Sequence, residues 1–99
     1  MGKDQASTEL QHYTAQWFQV PEQESLTEEE LIQAIEKQVS YLLEKDMASL
    51  LNIAYRIDID EQKFKFALST LRPSREIAVL FVKRMVEKVY WRTKYSTKS

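Results

Sequence analysis

This chain holds a single glycine, at position 2, and no cysteine. Phosphate-cradling loops, dinucleotide fingerprints and nucleophile elbows need backbone at positive φ or pressed against a ligand, which glycine supplies, so none of them can be built here. Two-residue hairpins favour Asn-Gly and related turns, so antiparallel β architecture is disfavoured as well. Without cysteine there is no disulfide framework, no thiolate nucleophile and no zinc–thiolate site. The lone histidine, His12, makes a Glu-x-x-His with Glu9, but a di-iron bundle needs two such pairs and two further glutamates on facing helices. No serine has a recognisable nucleophile context. No apolar run approaches the roughly 18 residues that span a bilayer. The start "MGKDQASTEL" lacks the pattern of a signal peptide, and Ala6 stands where a myristoylation signal has Ser or Thr. The expectation is a cytoplasmic chain that is not an enzyme, with no metal, no cofactor and no membrane association.

What is present is a chain of helix formers. Its 99 residues are 43% hydrophobic and 29% charged, the mixture of one globular domain. Thr27 and Glu30 have capping-box spacing, with Leu26 and Leu31 as the hydrophobic staple, and Glu28, Glu29 and Glu30 suit the positive end of a helix dipole. Ile32, Ile35, Val39, Leu42 and Leu43 then mark one face of a helix over 28–45. Asp46 reads as the cap of a short second helix, with Met47, Leu50, Leu51, Ala54 and Ile57 as a single buried stripe. A third piece carries Phe64, Ala67, Leu68 and Leu71, and Pro73 and Ser74 break it. The last helix, over about 75–95, contains "IAVLFV", apolar on nearly every side, and its first half is expected at the centre of the bundle. Ahead of these, Thr8 and Gln11 suit a further capping box, and Leu10, Tyr13, Trp17 and Val20 are spaced by three, four and three before Pro21. The fold expected is all-α: a compact bundle of four main helices preceded by an aromatic N-terminal helical arm. Residues 1–25 form arm and linker, 26–95 the bundle and 96–99 a tail.

Between the second and third helices lies "IAYRIDIDEQKF". Asp58 and Asp60 have the spacing of the first two ligands of an EF-hand loop, but that loop needs glycine where Lys63 stands and glutamate where Ser69 stands. The better reading is a short link in which Asp60 caps the next helix, Ile59 and Phe64 form its staple, and Asp58 with Glu61 is the rival cap. Arg56 is expected in a partly exposed ion pair with one of these acids or with a carboxylate on another helix. "LTEEELIQAIEKQVSYLLEKD" followed by "LLNIAYRIDIDEQKFKFAL" resembles a group of small bacterial all-helical proteins that share an acidic first helix, a "YRIDxxE" junction and a basic terminal helix. The likeness covers roughly 26–92 and implies an all-helical cytoplasmic domain with no assigned activity.

Charge is laid out unevenly. Residues 1–71 hold 6 basic and 13 acidic side chains, a net of −7, whereas residues 72–99 hold 8 basic and 2 acidic, a net of +6. "KRMVEKVYWRTKYSTK" interleaves those cations with aromatics. The basic helix is expected to lie against the acidic helix of its own bundle, against a second copy or another protein, or against nucleic acid. A pI near 5.8 weighs against the last, because the rest of the chain would repel phosphates. The function expected is a non-catalytic protein–protein interaction module whose partner is a second copy of itself, as a homodimer, or another protein. A nucleic-acid-associated protein binding through the C-terminal helix is the alternative. Candidate interface residues are Leu10, Tyr13, Trp17 and Val20 in the arm and Lys88, Tyr90, Trp91, Arg92 and Lys94 in the last helix.

Overall fold

Helix starts are where the sequence speaks most directly, and they close as their chemistry requires. The computed structural model describes residues 10, 12–20 and 26–96, with side chains described as far as Trp91. The proposed Thr8–Gln11 capping box, the linker 21–25 and the tail beyond Ser96 lie outside the described residues. Four helices follow the arm: α1 Glu28–Lys45, α2 Met47–Ile57, α3 Glu61–Leu68 and α4 Pro73–Ser96. At the start of α1 the Thr27 hydroxyl accepts from the Glu30 N–H at 3.0 Å, and the Glu30 carboxylate accepts from the Thr27 N–H at 2.9 Å. Asp46 caps α2, accepting from the Ser49 N–H at 3.1 Å and its hydroxyl at 2.6 Å. Asp60 caps α3 through the N–H groups of Gln62 at 2.8 Å and Lys63 at 3.4 Å. Caps of this kind contribute about 1 kcal/mol each.

Asp58 has a different role from the one its neighbours suggest. It sits at φ 69°, ψ 55°, in the left-handed region just beyond α2. The Ile59 N–H donates to the Ala54 carbonyl at 3.0 Å and the Asp58 N–H to the Tyr55 carbonyl at 3.2 Å, the two bonds of a Schellman ending. Aspartate is among the few non-glycine residues that tolerate this conformation, which lets a chain almost without glycine turn tightly here. The two aspartates therefore divide the junction, Asp58 ending one helix and Asp60 starting the next. The last helix begins at Pro73, earlier than the expected 75. Proline at the first helical position loses an N–H that would be unsatisfied anyway, so Pro73 opens α4 and does not merely separate it from α3.

The core is organised around α4, where Ile77, Ala78, Phe81, Val82 and Met85 are fully buried. From α1 come Leu31, Ile32, Ile35 and Val39, from α2 Leu50, Ala54 and Ile57, and from α3 Phe64 and Ala67. Among the described residues the elements are helical and no strand occurs, so the chain is an all-α bundle. Two expected core positions are not in the core. Leu51, assigned to the buried stripe of α2, is 48% exposed, because the inward arc of this helix is already filled by Leu50, Ala54 and Ile57. Leu71 is fully exposed, because α3 stops at Leu68 and the helical spacing no longer applies beyond it.

Candidate interaction surface

The N-terminal arm is seated in its own bundle. Residues 12–14 are helical, and the chain turns at 15–17. Its two buried anchors are Thr14 and Phe18, four residues apart. The Thr14 hydroxyl donates to the Leu10 carbonyl at 2.7 Å and lies 3.5 Å from the Met85 sulfur, and the Phe18 ring meets Phe81 at 5.6 Å between centroids. Gln38 on α1 clasps the end of the arm with both ends of its amide. It accepts from the Gln19 N–H at 2.8 Å and donates to the Gln19 carbonyl at 2.7 Å.

Of the arm's four candidate interface residues, Leu10, Trp17 and Val20 pack partly buried against that core, and Tyr13 is half-buried. The stripe read from the sequence runs alongside the true anchors and not through them. The signal for the true pair was the i, i+4 spacing of Thr14 and Phe18, obscured because a threonine does not count as apolar. The guanidinium of Arg56 lies 5.9 Å from the centroid of the Trp17 ring, within cation–π range. Among the described residues this contact replaces the carboxylate partner expected for Arg56.

The basic half of the molecule is partly neutralised from within. Arg75 grips Glu29 with two hydrogen bonds, at 2.7 and 2.8 Å, and Glu36 lies 3.8 Å from Arg75 and 3.6 Å from Arg72. The hydrogen bond from Arg75 holds the Glu29 carboxyl below the ordinary carboxylate range. Arg84 bridges the α2–α3 junction, bonding the Asp58 carboxylate at 2.9 Å and its carbonyl at 3.1 Å, and it also pairs with Glu87 at 2.9 Å. The start of the basic helix thus lies against the acidic helix of its own bundle, one of the three arrangements expected. This leaves exposed Lys83 and half-buried Lys88 among the described cations of α4 without a carboxylate partner. Arg92 and Lys94 continue the helix, but their side chains lie outside the described residues.

Large apolar side chains reach solvent in several places. Tyr90 and Trp91 are 57% and 46% exposed and meet edge to face at 5.4 Å. On α2, Tyr55 is 84% exposed beside Leu51, and on α3 Phe66 is 72% exposed. Phe66 borders a shallow cleft between α3 and α4 with Ala67 and Leu80 at its floor and Gln62, Lys63 and Glu76 at its rim. Tyr41 on α1 is also exposed. Among the described residues no three His, Asp or Glu side chains gather as a metal site would require, and no helix is long and apolar enough to cross a membrane. Compared with models of protein families, with curated proteins and with solved structures, the chain matches none of them.

Proposed function

We propose that this chain is a non-catalytic protein–protein interaction module of the cytoplasm, acting by self-association or by pairing with another protein. The observation that carries the reading is the placement of large apolar side chains. The core closes around Phe81 without Tyr41, Leu51, Tyr55, Phe66, Leu71, Tyr90 or Trp91, all of which are exposed. Exposed aromatics beside cations have the composition of interface hot spots. Two surfaces stand out, the outer side of α2 and the Tyr90–Trp91 end of α4 with Lys88, Arg92 and Lys94 on the same helix. Sedimentation velocity on the full chain over a wide concentration range tests the self-associating form. A mass-action shift toward a dimer is expected, and a monomer throughout removes this form of the proposal.

Binding of nucleic acid through the end of α4 is the competing reading, favoured by Lys83 and Lys88 close in sequence to Tyr90 and Trp91. The internal pairing of Arg72, Arg75 and Arg84 counts against it, since those cations already have carboxylate partners. It predicts binding to RNA or single-stranded DNA that falls steeply between about 50 and 200 mM salt and is lost on removing residues 88–99. That result would replace the protein-interaction reading.

A further inference from the structure

The N-terminal arm lies on the bundle as a peptide lies in a binding groove. It touches Gln38 on α1, Arg56 on α2, and Phe81 and Met85 on the central helix. Gln38 addresses only the main chain of Gln19, through its N–H and its carbonyl, which is how a groove holds a peptide by its backbone. Phe81 receives the Phe18 ring, and the Arg56 guanidinium lies over the indole of Trp17. The four helices supply a core of their own, from Leu31 on α1 to Met85 on α4. Among the described residues the arm adds only Thr14 and Phe18 to it as buried side chains. The seat is also incompletely satisfied, because the Trp17 indole N–H is buried with no hydrogen-bond partner. An unpaired buried donor favours any state in which it reaches water, so it eases release of the arm.

We propose that the arm is exchangeable: in a dimer of this chain, the arm of each copy docks in the groove of the other. The proposal rests on the self-association reading above and gives it a contact. A second copy is the occupant because its arm repeats every contact of the first, with Gln19 in the Gln38 clasp, Trp17 under Arg56 and Phe18 on Phe81. Exchange therefore forfeits none of them. The tether decides how strongly docking at home competes. Gln38 lies 11 residues along α1 from Thr27, about 16 Å. The peptide steps from Gln19 to Thr27 extend at most about 29 Å, which is enough to reach. So short a tether holds the arm beside its own groove at an effective concentration on the order of millimolar. Closed monomers predominate in dilute solution, and exchanged dimers form as the protein approaches that concentration. Each arm leaves one seat before it enters another, so exchange is slower than simple surface contact.

Because the chain has no cysteine, introduced thiols report without interference. Gln19 and Lys37 are both exposed, and changing either to cysteine leaves the Gln38 amide and the main chain it holds in place. In the double variant Gln19→Cys, Lys37→Cys, a short bifunctional thiol reagent should join the two sites within one chain at about 10 µM. Failure to do so overturns the seat itself. In an equilibrated mixture of the two single variants, the same reagent should join one variant to the other. That product should be at least tenfold more abundant at about 1 mM than at about 10 µM. Gln19→Cys mixed with Lys65→Cys, exposed on α3, should give far less. Sedimentation velocity of the unmodified chain over the same range is expected to show a dimer. A dimer whose mixed variants give no more product than the Lys65→Cys control overturns arm exchange but leaves self-association standing. A chain that stays monomeric across the range overturns both.

Discussion

The N-terminal arm and α2 look alike as sequence, each a short segment with apolar residues at helical spacing, and the structure treats them in opposite ways. The arm, whose stripe reads as a spare surface, gives Thr14 and Phe18 to the core and is held by Gln38. The second helix, read as burying a single stripe, keeps Leu51 and Tyr55 in solvent. What separates them is supply and demand around α4. The arm reaches Phe81 and Met85 on the central helix, whereas α2 has more apolar surface than its own bundle can cover.

Substitutions can break this comparison. The largest effect is expected at Phe81→Ala, which empties the site where arm and bundle meet and should cost about 3–5 kcal/mol in urea unfolding. Phe18→Ala should cost about 3 kcal/mol, at the low end for a buried phenylalanine because it lies close to the end of the arm. A loss below about 1 kcal/mol there would mean that the arm is not part of the cooperative unit. At the junction, Asp60→Ala should cost roughly 0.5–2 kcal/mol by leaving the first N–H groups of α3 without an acceptor. Gln38→Ala removes both hydrogen bonds to Gln19 and should cost about 1 kcal/mol. It should also raise the exchange rate of the Gln19 amide. On the other side of the comparison, Tyr55→Ala, measured where the chain is monomeric, should change stability by no more than about 0.5 kcal/mol.

Acid provides a smaller, separate test. Hydrogen bonds from Arg75 lower the pKa of Glu29, and those from Ser49 lower that of Asp46. A carboxylate whose pKa is depressed by folding contributes stability that is fully present above its unfolded pKa, about 4 for these residues. That contribution is lost as pH falls through the depressed folded value. Stability should therefore decline below about pH 4, and Arg75→Met should flatten the part of the decline that belongs to Glu29. Both groups are solvent-exposed, so the effect is small beside the loss of Phe81.

Much of the architecture could be read directly. The Thr27–Glu30 box, Asp46 and Asp60 are local devices: a side-chain oxygen within three residues of an unsatisfied N–H needs no other part of the molecule to find it. The run from Ile77 to Val82 marked the central helix because a helix apolar on nearly every side has to be surrounded. Adjacency also placed at least one of Tyr90 and Trp91 off the core face, since neighbouring residues project about 100° apart, and the structure leaves both exposed. The outer stripe of α2 was less legible. Leu51 has the spacing of a core position, and only the packing of α2 on its neighbours leaves it in solvent.

The sequence by itself determined the helical class, the helix starts and the inward faces of α1 and α4, because capping and 3.6-residue periodicity act within a few residues. Only the tertiary structure decided which acids meet which arginines, since Glu29 and Arg75 are 46 residues apart and Asp58 and Arg84 are 26 apart. It likewise decided that Arg56 lies over Trp17, and that the arm enters the core through a threonine and a phenylalanine one position beyond the apolar stripe. Those outcomes depend on how helices cross and how much surface each leaves for the next, and helical spacing along one segment carries no record of the crossing.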